Sequence, residues 1–479
     1  MRLVLQQQNE HAIFSQSRAH CVRAVTQMME MRATGGVPLA YVHTYGCQQN
    51  VADGEKIKGQ LAEMGLSFTD DPDKADFILY NTCAVRENAE LKVFGTIGEL
   101  KHKKRRKPSL ITALCGCMAE QDHVVRRIQK SYPYLDLVFG THVIHYLPQL
   151  LYAHLTNGRR IFENGNEEQD RQIIEGLPVQ RDSTQTTAFL TIMYGCNHFC
   201  TYCIVPYVRG RERSREPEAI EAEFRALVQA GYKEIMLLGQ NVNAYGKTLE
   251  NPIDFAQLLR RLDSIEGDYR IRFMSPHPKD ATPELLETMA HSLHIAHSLH
   301  LPLQAGNNRV LKAMNRNYTR EQFLELVHRA RALMPEITFT TDIIVGFPGE
   351  TYEEFLDTVD MLEQVKFNSL YTFIYSRREG TRAATMPDPV PQEEKSRWFR
   401  ELWQKQEEVV AKTAPAIIGT TQRVLVQGYN EKQTMLWGKT EGNMNCEFEG
   451  DDHLIGTFVP VKITQSPNFV LKGTLITES

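Results

Sequence analysis

The segment Gly195-Cys196-Asn197-His198-Phe199-Cys200-Thr201-Tyr202-Cys203 carries three thiols in a C-x3-C-x2-C spacing, with an aromatic residue before the last one. Three thiolates this close can hold three corners of a [4Fe–4S] cluster. Electron-carrier clusters take four protein thiolates, so a missing fourth ligand leaves one iron open to bind and activate a small molecule. Zinc is the competing occupant. Structural zinc sites, however, close at four ligands, usually from paired C-x2-C or C/H spacings. His198 is the one extra donor inside the segment, and no complementary pair stands near it. The chain has nine cysteines and no secretory h-region, which disfavours disulfides.

The elements that must position these thiols read as repeating strand–helix units. Over residues 37–155 the apolar stretches 39–44, 76–80, 110–114 and 135–139 read as strands. Helical patterns lie between them near 51–64, 86–104 and 118–130. Short apolar strands alternating with helices predict an open α/β domain with a parallel sheet. Ligands gather at the carboxyl ends of such strands. Cys47 follows the first strand, Cys83 the second and Cys117 the third, at spacings of 36 and 34 residues. The three should converge on one sheet edge as a second three-thiolate site. Cys115 stands two residues before Cys117, at the end of a buried strand, where free cysteine is common. Cys117 falls in the turn and is taken as the ligand. Cys21 and Cys446 read as structural.

Residues 156–183 are polar, with Asn157, Gly158, Asn164, Gly165, Asn166, Asp182 and Ser183, and read as a linker. A second βα rhythm follows. Strands are expected at 188–193, 234–238, 270–274, 298–301, 338–343 and 369–375, and helices near 216–230, 253–264, 282–290, 319–333 and 351–365. Six units are too few for a closed eight-fold barrel and suit a partial, open (β/α)6 barrel with its reaction at the C-terminal face. Cys196 follows the first of these strands. A charged helix at 392–412 leads into residues 413–479, where short strands alternate with Gly and Pro turns as in a small all-β barrel, a pattern similar to OB-type nucleic-acid modules but shared by any small β-barrel. The expected divisions are 1–36, 37–155, 156–183, 184–412 and 413–479.

Length, 479 residues, suits several domains, and 42% hydrophobic with 24% charged residues is ordinary for a globular protein. No apolar run reaches the length of a membrane span; no membrane partner, a cytoplasmic location and a monomeric state are expected. Residues 1–36, with Arg2, Arg18, Arg23 and Arg32, read as a short amphipathic helix or loose extension, with an organelle leader as the minor alternative. The net charge of −5 excludes polyanion binding by bulk electrostatics, but charge is concentrated locally. Residues 101–107 are basic, reading equally as a solvated helix end and as a phosphate contact. Arg209, Arg211, Arg213 and Arg215 recur just after the cysteine segment.

Together these motifs resemble the methylthiotransferase family of the radical S-adenosylmethionine (SAM) superfamily over about residues 37–478. The matching stretches are Thr44-Tyr45-Gly46-Cys47-Gln48-Gln49-Asn50, Asn81-Thr82-Cys83-Ala84-Val85-Arg86-Glu87, Gly116-Cys117-Met118-Ala119, Gly195 to Cys203, and the run from Ile204 to Arg215. The resemblance implies two [4Fe–4S] clusters: one on Cys47, Cys83 and Cys117 that carries sulfur, and one on Cys196, Cys200 and Cys203 that cleaves SAM to a 5′-deoxyadenosyl radical. It implies SAM contacts from Tyr202, Gly239, Gln240, Asn241, Ser275, Gln304 and Asp342, and a C-terminal TRAM domain. It also implies C–S bond formation at C2 of an N6-isopentenylated adenosine beside the anticodon. The C2–H of adenine is neither acidic nor electrophilic enough for ordinary acid–base chemistry, so a radical route answers the need. Tyr45-Gly46-Cys47-Gln48 and Arg86-Glu87 look like the isopentenyladenosine branch. Other branches act on threonylcarbamoyladenosine or on a ribosomal-protein aspartate. A zinc-stabilised, non-catalytic RNA-binding protein is the reading of a different class. Partners implied are a tRNA anticodon stem-loop held by the β-barrel and by Arg209, Arg211, Arg213 and Arg215, an electron donor such as flavodoxin or ferredoxin, and a sulfur or iron–sulfur cluster donor. The chain departs from the family's usual serines at Gly54 and Ala305.

Overall fold

The structure is a computed structural model that describes residues 17–33, 36–84, 87–165, 173–182, 184–430, 432, 434–467 and 469–476. Residues 1–16 and, among those named above, Val85, Arg86, Asn166 and Ser183 lie outside them. The chain divides into two compact units. One comprises Met1–Asp182, Tyr194–Asn197 and Ile204–Arg213; the other comprises Ser183–Met193, His198–Cys203 and Ser214–Ser479.

The first unit is built on a six-stranded parallel sheet. Its strands are β1 (Leu39–Thr44), β2 (Ser67–Phe68), β3 (Phe77–Thr82), β4 (Ile111–Gly116), β5 (Leu137–Phe139) and β6 (Ile161–Glu163), in the order β2-β1-β3-β4-β5-β6. β3 and β4 are buried at every position, as central strands covered on both faces must be. Register sets the function of this sheet. Thr44 pairs with Asn81, and Thr82 with Gly116, so β1, β3 and β4 end level on one edge. β6 lies inside the polar stretch expected to be a linker. Its three half-buried residues, beside a Gly158 C-cap, carry too little apolar pattern to betray a strand. The N-terminal helix Arg18–Arg32 is docked rather than loose. Cys21, Val25 and Met29 bury its i, i+4, i+8 stripe, and Val25 and Met29 join the core that holds Leu147, Leu150 and Leu151. The basic run closes the helix Glu87–Arg106, where cations suit the dipole. Lys103 and Arg106 pair with Asp73, Lys104 with Asp136 and Lys107 with Asp76. The helix expected near 118–130 is two elements, a 3-10 turn Cys117–Glu120 and a helix Asp122–Ser131.

The second unit holds two parallel three-stranded sheets, β7 (Thr187–Thr191), β8 (Glu234–Leu238) and β9 (Arg270–Phe273), then β10 (Ser298–His300), β11 (Thr338–Val345) and β12 (Ser369–Ile374). Ile271 exchanges hydrogen bonds with His294 and Ala296, which joins the sheets between β9 and β10. The result is a partial (β/α)6 barrel left open, with β12 paired to β11 alone among the described strands. The helix Asn308–Ala313, capped by Asn307, is absent from the sequence-based expectation because six residues are too few to show a period.

The last five strands, β13 (Thr421–Tyr429), β14 (Leu436–Lys439), β15 (Asn445–Phe448), β16 (Phe458–Gln465) and β17 (Val470–Leu475), close a small barrel. Its core includes Val424, Leu436, Cys446, Phe448 and Val461. Burial pushes the Cys446 thiol up to about 12, in keeping with a structural role. The turn after β14 seats on the N-terminal ends of the parallel strands. Arg270 donates to the carbonyls of Arg423, Lys439 and Thr440, and Arg272 to those of Thr440 (2.7 Å) and Glu441 (2.8 Å). Both arginines are buried and share Glu234. Thr338 adds a bond to the Gly442 carbonyl, where a Cβ would stand 2.6 Å from the Thr338 methyl.

Arg272→Ala should therefore destabilise the chain by about 3–5 kcal/mol, because it removes one of the two cations that balance buried Glu234 and takes a donor from the carbonyls of Thr440 and Glu441. Urea unfolding checks this, and a loss no larger than that of an exposed ion pair would contradict it.

Candidate metal centre and cofactor rim

In the first unit the level strand ends deliver the three cysteines together. Cys47 is the N-cap of the helix Gln48–Glu63, Cys83 follows β3, and Cys117 opens the 3-10 turn after β4. Two glycines make the approach possible. A Cβ at Gly46 (φ 114°) would lie 2.4 Å from the Cys83 Cβ, and one at Gly116 (φ 96°) would lie 2.3 Å from the Thr82 carbonyl oxygen. Asn50 organises the interior. Its Nδ2 donates to the carbonyls of Tyr45 and Thr82, and its Oδ1 accepts from Cys47 Sγ at 3.6 Å and Cys117 Sγ at 4.0 Å. A hydrogen bond with Cys83 brings the Cys47 thiol down to about 6 against burial, helped by the charge of Arg209 and the Asn50 backbone N–H. Burial pushes the Cys117 thiol up, although Arg209 opposes it.

Three cysteine sulfurs gathered on one sheet edge are a donor set of the kind that holds an iron–sulfur group. A tetrahedral zinc with Zn–S of about 2.3 Å needs sulfurs about 3.8 Å apart. Among the described residues, the three sulfurs do not all lie within 4.8 Å of one another. Cys115 points elsewhere. It is fully buried in β4 within the hydrophobic core, and burial drives its thiol well above the ordinary value.

The C-x3-C-x2-C segment is divided between the units, Cys196 in the first and Cys200 and Cys203 in the second. In the first unit the Cys196 N–H donates to the Gly210 carbonyl (3.2 Å), and Asn197 bonds Glu212. In the second, a clamp missed from sequence holds the rest. Asn315 Nδ2 donates to the carbonyls of His198 (2.8 Å) and Phe199 (3.1 Å), supporting Phe199 in a left-handed conformation (φ 49°). Arg316, buried, donates to Cys200 Sγ (3.5 Å), Pro302 O and Tyr318 Oη. The polar run Asn315-Arg316-Asn317 just past a short helix was the available signal.

Most of the predicted SAM residues follow the carboxyl ends of barrel strands, whereas Tyr202 lies in the cysteine loop and Asp342 within β11. Gly239 follows β8, where a Cβ would press 2.6 Å from Met193 Cγ, and Gln240 is half-buried beside it. Asn241 Nδ2 lies 2.9 Å from His198 Nε2 and 3.0 Å from Asp280 Oδ2. Ser275, exposed after β9, and Gln304, buried after β10, both take left-handed backbone (φ 65° and 68°). Such strain collects at functional rims. Asp342 of β11 lies 3.5 Å from His300, and Tyr202 packs on the barrel core. His198 also bonds Asp280 (2.8 Å) and stacks on His277 at 3.7 Å. His198, His277 and Asp280 bring donor atoms within 4.8 Å, but Asp280 is already committed to His198, Asn241 and Lys247. Against burial, those three bonds hold its carboxyl well below the ordinary range.

Two of the four arginines assigned to RNA are elsewhere. Arg209 is buried against Cys117, Asp53 and Asn50, and Arg215 is buried against the Thr191 carbonyl and Glu223. Neither side chain is exposed at the surface. Alternation along an extended stretch turns side chains to opposite sides, and a period of two cannot say which side is solvent. Arg211 is exposed and Arg213 half-buried beside the Tyr194 ring. At Gly54 a Cβ would meet Thr44 Oγ1 at 2.6 Å, so the departure from serine leaves room for Thr44.

Comparison with known proteins agrees with this architecture. Residues 190–362 match the Radical SAM superfamily, residues 39–140 the Uncharacterized protein family UPF0004 and residues 415–476 the TRAM domain. The fold resembles that of the radical S-adenosylmethionine methyltransferase TsrM from Kitasatospora setae, at TM-score 0.53 and 13% identity over 72% of this chain and 75% of that one. The open barrel and its cysteine segment thus define a radical SAM protein. Among relatives named tRNA-2-methylthio-N(6)-dimethylallyladenosine synthase, that of Thermoanaerobacter sp. (strain X514) is 47% identical over 91% of this chain and 92% of its own length. The one from Carboxydothermus hydrogenoformans is 48% identical over 91% and 99%. The chain belongs to this family of methylthiotransferases.

Two outcomes are expected. Cys115→Ala should cost about 1 kcal/mol as a small core cavity and keep the iron and sulfide taken up on anaerobic reconstitution, while Cys117→Ala should lose part of both. Separately, burial pushes the Glu350 carboxyl, which accepts from the N–H groups of Gly346 and Phe347, from 4.5 up to about 7. The folded state then favours the protonated acid. Its contribution, roughly 3 kcal/mol, is complete below the unfolded value and lost as pH rises through the folded one. Urea unfolding between about pH 5 and about pH 8 should show this fall, and Glu350→Gln should flatten it.

Proposed function

We propose that this chain is a radical SAM methylthiotransferase that installs a methylthio group at C2 of N6-isopentenyladenosine beside the anticodon in tRNA. The carrying observation is the convergence of Cys47, Cys83 and Cys117 on one sheet edge, in addition to the C-x3-C-x2-C segment. One triplet is enough to cleave SAM; sulfur insertion is the reason for a second.

Cys196, Cys200 and Cys203 would hold the [4Fe–4S] cluster that engages SAM, and Cys47, Cys83 and Cys117 the one that carries sulfur. When bound, these groups supply the electron that cleaves SAM and the sulfur that is transferred. The residues of the chain orient and shield. Asn315 and Arg316 fix the cysteine loop, so Cys200 is presented in one geometry. Asn241, Ser275, Gln304 and Asp342 ring the carboxyl ends of β8 to β11 and offer polar contacts to the SAM body. The TRAM barrel and exposed Arg211 are the surfaces offered to RNA, whose target base must leave its stack to be modified. A flavodoxin or ferredoxin and a sulfur or iron–sulfur donor complete the cycle. No described helix is long and apolar enough to cross a membrane.

The test is direct. Anaerobically reconstituted protein, SAM and reductant should add one methylthio group to an anticodon stem-loop carrying isopentenyladenosine, read by nucleoside mass spectrometry. Active SAM cleavage without that gain would move the substrate to threonylcarbamoyladenosine or a ribosomal-protein aspartate. Combined Cys47, Cys83 and Cys117→Ala substitution should abolish thiolation and keep reductive SAM cleavage; loss of cleavage would contradict the division of labour.

A further inference from the structure

Arg209 uses every nitrogen of its guanidinium inside the first unit. Nε donates to Cys117 Sγ at 3.2 Å, Nη1 to Asp53 Oδ2 at 2.6 Å and Nη2 to Asn50 Oδ1 at 2.9 Å. Its partners are as deeply placed as it is. Arg209 is 5% exposed, Asp53 3% and Asn50 fully buried. Asp53 is itself held by Gln49 Nε2, and Asn50 by the Asn81 amide and two carbonyls, so the fork cannot swing.

A buried ion pair is a poor source of stability, since desolvation consumes most of the attraction. Core apolar residues would hold these elements together as well. What an arginine adds is a fixed positive charge and an N–H aimed at sulfur, and a thiolate as buried as that of Cys117 needs both. Hydrogen bonds to ligand sulfurs and nearby charge are the means by which proteins tune such centres. Asp53 on the far side of the fork then limits how much positive charge reaches the sulfurs.

We infer that Arg209 is a positioning residue of the Cys47/Cys83/Cys117 centre, orienting and partly neutralising the Cys117 thiolate, with Asp53 as the counter-charge that sets the strength of that effect. The inference rests on the proposed reading of this triplet as a cluster site. It assigns to the residue a part unrelated to RNA contact, although it sits in an arginine-rich run.

The experiment uses the full chain with Cys196, Cys200 and Cys203 replaced by alanine, so that only this centre is loaded. Iron and sulfide are counted after anaerobic reconstitution, and the midpoint potential is followed by EPR during a redox titration. Arg209→Gln should shift the potential negative, because reduction loses its nearby cation. Asp53→Asn should shift it positive. Arg209→Lys should fall between the parent and Arg209→Gln. Opposite signs from two partners of one fork are not what a merely structural contact gives. An unchanged potential in Arg209→Gln, or shifts of the same sign, would overturn the inference. If Arg209→Gln takes up no iron, Asp53→Asn decides, and the absence of a positive shift there overturns it. A parent that takes up no iron would instead overturn the centre itself, and failure of the tRNA assay leaves this test untouched.

Discussion

Level ends of parallel strands are the constraint on which this protein depends. Cys47, Cys83 and Cys117 come from stretches of chain tens of residues apart, and each βα unit returns the chain to the same edge of the sheet. In the first unit the pairing of Thr44 with Asn81 and of Thr82 with Gly116 makes the turns after β1, β3 and β4 neighbours. A slip of one residue in either register would turn a cysteine toward the opposite face. The buried residues of β3 and β4 set that register, so the packing of the sheet and the convergence of the thiols are one requirement.

That logic explains what could be read in advance. Spacings of 36 and 34 residues between Cys47, Cys83 and Cys117 are the length of a βα unit, so a strand pattern and three cysteines were enough to bring them together. The choice of Cys117 over Cys115 followed from the strand ending between them, and the structure sets Cys115 in the hydrophobic core. The six barrel strands were legible for the same reason, as apolar runs between helices of ordinary length. The clamp on Cys200 was not. Asn315 and Arg316 lie over a hundred residues beyond the cysteine they hold, after a helix too short to show periodicity.

The arginines show where pattern reading fails on physical grounds. Arg209, Arg211, Arg213 and Arg215 look equivalent in sequence, yet the first and last are buried and the second is exposed. Charge density suggests a polyanion partner only when the charges reach solvent. Here the negative partners are internal: a thiol and a carboxylate for Arg209, a carbonyl and a carboxylate for Arg215. Arg316 on Cys200 repeats the arrangement. In two separate places, then, a buried guanidinium donates to a cysteine sulfur of one of the triplets. Guanidinium suits this use because it stays charged in low dielectric and directs several donors in one plane.

The C-terminal barrel also reads differently once its seat is seen. An appended RNA-binding module would need only a linker. Here buried Arg270 and Arg272 reach from β9 to four backbone carbonyls of the barrel, while Glu234 balances their charge. The parallel strands present their reactive carboxyl ends on one side and close their other ends with this module. Buried arginines left facing water-poor space without those carbonyls would be costly, so the second unit is expected to need its β-barrel in order to fold. The barrel is thereby fixed to the N-terminal ends of the same strands whose carboxyl ends lead into Gly239 and Ser275.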